Sequence, residues 1–294
     1  MSDLPADATE PRVGVLPVPG ATLRYEVRGT GPLLLLIPGG AGNADVFHGV
    51  APVLADRFTV ASYAPRGISG SPLDCPGAEQ SVEVHAADAR RLLDLLSPDE
   101  PAAVLGTSSG AVTAVELLAR HPERLRLVVA HEPPLIRVLP DPHPTLAAFA
   151  DIAETAVREG VGAAYARMGA VLGAPEPVED PAVGEPAPVP DGLRAAIQAS
   201  SAHFLQHVLR PFSHHAPDLA ELKGVADRLV VAVGRASRGQ LTYTMATALA
   251  EAVGSTCREF PGGHVGCVEH PAAFAQALRE TLPPAGRQDL ARSA

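Results

Sequence analysis

The chain has 294 residues, 46% of them apolar and 19% charged, with a formal net charge of −10 at pH 7. That length and apolar content suffice for a full core and exclude a disordered chain. The longest aliphatic run, Leu33–Ile37, is far too short to span a bilayer, and the negative charge, with no basic cluster beyond Arg90-Arg91, excludes nucleic acid and anionic membrane as partners.

The acidic start, Met1-Ser2-Asp3-Leu4, lacks the apolar stretch of a secretory leader. Cys75, Cys257 and Cys267 are odd in number and have no metal spacing. Both features point to a cytoplasmic location. Two alternating segments, 13–18 and 22–28, are expected to be strands joined at Pro19-Gly20. The continuous apolar run at 33–37 suits a strand covered on both faces. Further strands are expected at 58–63, 102–105, 127–130, 229–233 and 257–260, which makes eight.

Helical patterns lie between them. In 81–96, Val82, Ala86, Ala89, Leu93 and Leu96 share one face, with Ser81 placed to cap the helix and Glu83 in its first turn. Residues 111–119 and 270–282 also read as helices, and 241–253 reads as one ending at Gly254. The last dozen residues are expected to fray. Alternating strands and helices predict an α/β fold on a mostly parallel sheet, with reactive groups at its carboxyl edge.

The stretch 135–223 breaks this alternation. It carries helical patterns at 144–172 and 191–209 and no strand, so it is expected to be a helical cap between the sixth and seventh strands. Residues 1–134 and 224–294 then form the core. Within the cap, 174–191 holds six prolines and five acidic residues without Lys or Arg. That composition predicts a solvated flap or a plain linker.

Gly106-Thr107-Ser108-Ser109-Gly110 joins the strand at 102–105 to the helix at 111–119. Strand, G-x-S-x-G, helix is a nucleophile elbow, which holds a serine hydroxyl above the sheet edge at the positive end of the helix. Ser108 is the candidate nucleophile. Its base candidate is His264, in the Gly-rich loop Pro261-Gly262-Gly263-His264 after the last strand. The amides of Gly40, in Pro38-Gly39-Gly40-Ala41-Gly42, and of Ser109 are candidate oxyanion donors. Several carboxylates between residues 108 and 264 could orient the histidine. Glu132 is preferred because it leaves the sixth strand at the carboxyl edge.

These pieces, with Tyr63-Ala64-Pro65-Arg66-Gly67-Ile68-Ser69-Gly70-Ser71 and His131-Glu132-Pro133-Pro134, resemble the α/β-hydrolase superfamily over essentially the whole chain. The elbow and the segment after strand six are similar to those of lactone hydrolases that open zearalenone-type macrolides. In that superfamily the second piece usually reads D-x-R-G-x-G-x-S, so Ala64 and Ser69 depart from it, and Pro38 stands where His is common. The family's acid usually follows strand seven. Here 234–239 contains no carboxylate, and Asp227 lies at the amino end of that strand.

The resemblance implies an eight-stranded α/β-hydrolase sheet and a serine hydrolase that opens a carboxylic ester or lactone of a hydrophobic small molecule through an acyl-enzyme. It implies no metal or cofactor, and the sequence has no H-x-x-E-H or H-E-x-x-H spacing. Two alternatives stay open. One is the same fold run as a C–C bond hydrolase, perhydrolase or cofactor-free cyclase; the other is a non-catalytic ligand binder. With 4% aromatic residues and no Trp, an aliphatic pocket is expected, with Gly39, Leu135, Ile136, Met168 and Phe204 as substrate-contacting candidates. Monomer and homodimer are both compatible with the sequence.

Overall fold

The computed structural model describes residues 10–174 and 183–282. The acidic amino-terminal segment, the carboxyl-terminal residues expected to fray and residues 175–182 of the Pro-rich stretch lie outside the described residues. Eight strands form one sheet: β1 (Arg12–Val18), β2 (Ala21–Arg28), β3 (Leu33–Ile37), β4 (Thr59–Tyr63), β5 (Ala102–Thr107), β6 (Leu125–His131), β7 (Leu229–Gly234) and β8 (Thr256–Phe260). Their spatial order is β1-β2-β4-β3-β5-β6-β7-β8. The pairings β1–β2 and β2–β4 are antiparallel and all others parallel. All eight expected strands are present, within about two residues at each end.

Period-two alternation explains why the central strands are apolar throughout. Leu35 and Ile37 of β3, Val104 of β5 and Val231 of β7 belong to one core cluster, whereas Leu34, Leu36, Leu105 and Ala232 belong to another. Helix α1 (Ala51–Leu54) covers the second face. Helices α2 (Val82–Leu96) and α3 (Ser109–Arg120) cover the first. The Ser81 hydroxyl accepts the Val84 amide at 3.3 Å and caps α2 as expected.

Between β6 and β7 the chain forms α4 (His143–Arg158), α5 (Val161–Leu172), α6 (Asp191–His203), a π-helical turn at Phe204–Val208, α7 (Leu209–Ser213) and α8 (Leu219–Gly224). The helical pattern at 144–172 is therefore two helices. Gly160, at φ 93°, takes a backbone conformation that a helix cannot continue through. The described part of the Pro-rich stretch is mostly exposed but tied down at two points: the Ala187 amide donates to the Glu269 carbonyl at 2.7 Å, and Val189 packs on the core. The return from the helices is held where His215 Nε2 lies 3.0 Å from the Glu116 carboxylate on α3.

After β7 come α9 (Leu241–Val253), ended by left-handed Gly254 as expected, then β8, α10 (Gly266–Glu269) and α11 (Pro271–Thr281). The segment 63–71 is braced without the aspartate and glycine usual in the family. Arg66 makes a two-pronged pair with buried Asp88, both contacts at 2.7 Å. The Ser71 hydroxyl donates to the Ala64 carbonyl at 2.6 Å and accepts the Arg24 amide at 2.9 Å. Among the described residues no helix is long and apolar enough to cross a membrane.

Candidate active site

The elbow is built by close packing. A side chain on Gly106 would strike the Gly110 carbonyl, one on Gly110 would strike the Ile37 and Pro38 carbonyls, and one on Gly39 would strike the backbone of Thr107 and Cβ of Ser108. Glycine is the residue that fits these approaches. Between them Ser108 sits at φ 52° and ψ −122°, a strained conformation for a residue with a Cβ. Its amide donates to the His131 carbonyl at 2.9 Å, which ties the turn to the end of β6.

Glu132, the next residue after β6, is the other non-glycine at positive φ among the described residues, at 47°. That turn swings its side chain away from the direction taken by His131. The Glu132 amide donates to the Ala232 carbonyl at 2.9 Å, and its Oε1 accepts the Gly234 amide at 2.8 Å. Its Oε2 lies 2.6 Å from Nδ1 of His264. The carboxylate is fully buried, while the His264 side chain is 26% exposed. Burial alone raises the Glu132 pKa. The His264 hydrogen bond, the charges of His131 and His264 and the Gly234 amide outweigh it and bring the value down to about 2. The group is therefore an anion at neutral pH, placed to fix the His264 tautomer with its proton on Nδ1.

Ser108 and His264 border one cavity of about 390 Å³. Its walls include Gly39, Gly40, Met168 and Phe204, four residues singled out in the sequence for oxyanion or substrate contact. Leu135 and Ile136 are not among them. Both are fully buried in the core cluster that includes α4 and α9, because the chain turns inward before α4 begins. Among the wall residues missed from sequence, Tyr165, Gly169 and Leu172 lie with Met168 on one face of α5 at i, i+3, i+4, i+7 spacing. That helical stripe was a readable signal.

Two more placements differ from simple expectation. The Gly40 amide donates to the Ser109 hydroxyl at 2.9 Å, which gives this candidate oxyanion donor an acceptor already in place. Cys267 also borders the cavity, but burial pushes its thiol up to about 12, so it stays protonated and unreactive. His131 is fully buried, faces Phe260 and Phe274 with ring centroids 6.2 and 5.2 Å away, and has no hydrogen-bond partner at either ring nitrogen among the described residues. Asp227 lies in the turn before β7, at the opposite end of that strand from Gly234.

Comparison with known proteins agrees with this frame. Residues 32–160 match the family model described as alpha/beta hydrolase fold. The uncharacterized hydrolase YraK of Bacillus subtilis (strain 168) is 34% identical over 273 residues, covering 92% of this chain and 95% of that one. A zearalenone hydrolase of Bionectria ochroleuca is 36% identical over 118 residues, 39% of this chain and 44% of the other. Among solved structures, a thermophilic esterase from Thermogutta terrifontis superposes with a TM-score of 0.69 at 21% identity, covering 92% of this chain and 97% of that one. The enol-lactonase from Burkholderia xenovorans LB400 does so with a TM-score of 0.67 at 20% identity, covering 91% and 98%. These two likenesses are of fold. Sheet order, elbow and full-length relative together establish that the chain belongs to the α/β-hydrolase fold family of enzymes.

Proposed function

We propose that the protein is a serine hydrolase of carboxylic esters or lactones of hydrophobic small molecules. The observation that carries this reading is the buried Glu132 carboxylate on His264, facing the cavity that Ser108 borders. Ser108 Oγ attacks the substrate carbonyl carbon while His264 Nε2 takes its proton. The C=O π pair moves onto the carbonyl oxygen, giving a tetrahedral oxyanion. The pair then returns, the ester C–O bond breaks, and the leaving alkoxide receives the proton from His264. Water repeats the sequence on the acyl-serine, releasing the acid and restoring the hydroxyl.

Glu132 stays ionised throughout and stabilises the imidazolium, as its low pKa requires. The Ser109 amide and the Gly40 amide hold the oxyanion, the latter by sharing its hydrogen with, or turning from, the Ser109 hydroxyl. Such a donor contributes about 3 kcal/mol of transition-state stabilisation. Residues 135–223 act as the cap that selects substrate. Zearalenone hydrolase shares sequence with this chain over a limited stretch, which supports a lactone among the substrates to be tried.

The test is stoichiometric labelling by a fluorophosphonate together with turnover of short p-nitrophenyl esters. Both are expected in the native protein and both should vanish in Ser108→Ala. A folded native protein that neither labels nor hydrolyses any ester or lactone in a broad panel would return the chain to the C–C hydrolase, cyclase or binder readings.

A further inference from the structure

Thr107 immediately precedes Ser108 and is the last residue of β5. Side chains alternate along a strand, so Thr107 projects on the same sheet face as Leu105, two residues back. Leu105 belongs to the core cluster that holds Val46, Cys267 and Val268. Those last three residues and Thr107 all border the cavity of about 390 Å³. None of the four borders the smaller recess of about 40 Å³ that Ser108 and His264 also meet. Thr107 therefore faces one side of the reacting centre.

The residue is 4% exposed. Its hydroxyl makes no hydrogen bond to any described residue, yet it is not sealed off as the unpartnered hydroxyls of Thr155 and Thr242 are. The small exposed area thus includes the oxygen, and the cavity is the space it opens on.

The other polar groups of the walls are already engaged. Tyr165 donates to Ser201 Oγ at 3.0 Å, and Ser201 donates onward to the Ile197 carbonyl at 2.7 Å. Ser108 and His264 are reserved for the reaction. The remaining side chains of the walls are apolar or carry sulfur. Among the described residues, Thr107 is the one lining side chain with an oxygen or nitrogen left to bind substrate without taking part in the chemistry.

While the cavity is open, solvent can serve this hydroxyl. A hydrophobic substrate that fills the cavity drives solvent out, and a hydroxyl then left without a partner costs about 1–3 kcal/mol. A substrate that brings its own acceptor to that point avoids the cost. Consecutive Cα atoms lie about 3.8 Å apart, so the acceptor must sit close to the carbonyl carbon that Ser108 attacks.

We infer that Thr107 is a specificity-determining residue, whose hydroxyl donates to a second oxygen of the substrate a few bonds from the scissile ester group. The favoured substrates are hydrophobic esters or lactones that carry an ether, hydroxyl or keto oxygen beside the bond to be cleaved. This deepens the serine-hydrolase reading and rests on it, adding a preference that the triad alone does not set.

The experiment uses two pairs of esters in which oxygen replaces one methylene. p-Nitrophenyl methoxyacetate against p-nitrophenyl butyrate places the oxygen in the acyl half; 2-methoxyethyl hexanoate against butyl hexanoate places it in the alcohol half. For each pair the ratio of kcat/KM values is compared between native protein and variants, which cancels the intrinsic reactivity of the esters. Thr107→Val is expected to lower the oxygen-to-methylene ratio roughly three- to tenfold in one pair, the effect of one neutral hydrogen bond. Thr107→Ala should act likewise, and Thr107→Ser should keep the native ratio. Thermal melting checks that each variant is folded. The responding pair identifies the half of the substrate that Thr107 faces. Ratios unchanged in both pairs, or lowered alike in both, overturn the inference while leaving the nucleophile intact, because one hydroxyl faces one half only. A native protein that neither labels with fluorophosphonate nor turns over any of the four esters removes the reading of Ser108 and the inference with it.

Discussion

The Glu132 carboxylate meets Nδ1 of His264 at 2.6 Å although 132 residues separate them in the chain. The other carboxylate oxygen accepts the Gly234 amide, so strand seven supplies a backbone donor where relatives of this fold usually supply the acid. This arrangement makes the consequence of removing the charge specific. In Glu132→Gln the Gly234 amide still needs an acceptor, and the glutamine oxygen takes that place. Its NH₂ then faces Nδ1 of His264, which must accept, and the ring proton moves to Nε2. That is the wrong tautomer for taking a proton from Ser108. We expect kcat to fall on the order of 10³- to 10⁴-fold, with the thermal midpoint little changed. Activity within about tenfold of native would assign the role to another carboxylate or to water.

A second expectation concerns acid. Burial lowers the His131 pKa to about 4. Burial, with help from Arg66 and His203, lowers that of His85 to about 3. Both values are depressed below the unfolded value near 6.5, so the neutral ring is the folded form. The associated stability is fully present above pH 6.5. It is lost as pH falls, because the unfolded chain takes up protons that the folded one refuses. Glu132 adds a further loss only below its ordinary value of 4.5, continuing toward about 2. Between pH 7 and pH 5 His131 alone should account for about 2 kcal/mol of lost stability. His131→Phe, which places a ring without nitrogens beside Phe260 and Phe274, should reduce that decline in urea unfolding by about this amount. Parallel pH profiles for the two proteins would show that the buried imidazole is satisfied in some other way.

Strain at the elbow gives a third expectation. Ser108 holds a conformation that costs on the order of 1–3 kcal/mol for a residue with a Cβ, and glycine removes most of that while losing about 0.5–1 kcal/mol to chain entropy. Ser108→Gly should therefore be more stable than Ser108→Ala by about 1 kcal/mol, both being inactive. Equal urea midpoints for the two variants would mean that the surrounding packing does not oppose this backbone conformation.

The sheet was legible because each central strand is a short, uninterrupted apolar run, a pattern required when helices cover both faces. Ser108, Glu132 and His264 could be placed at one rim because the first two directly follow the ends of β5 and β6 and the third lies in the short loop after β8. What sequence could not show was set by contacts between distant segments. Leu135 and Ile136 looked like pocket walls because they open the insertion, yet their side chains turn into the core. The division of α4 from α5 depends on the left-handed backbone at Gly160, which a helical pattern running through it conceals. The engagement of the Gly40 amide by Ser109 joins two loops 69 residues apart.

Strands β6 and β7 are parallel neighbours, so the chain between them leaves the sheet at its carboxyl edge, after His131, and rejoins it at the opposite edge, at Leu229. Glu132, just after β6, and Gly234, the last residue of β7, meet at the carboxyl edge and are bonded to each other there. The bonds that hold the Glu132 carboxylate, to Gly234 and to His264, use no atom of residues 135–223.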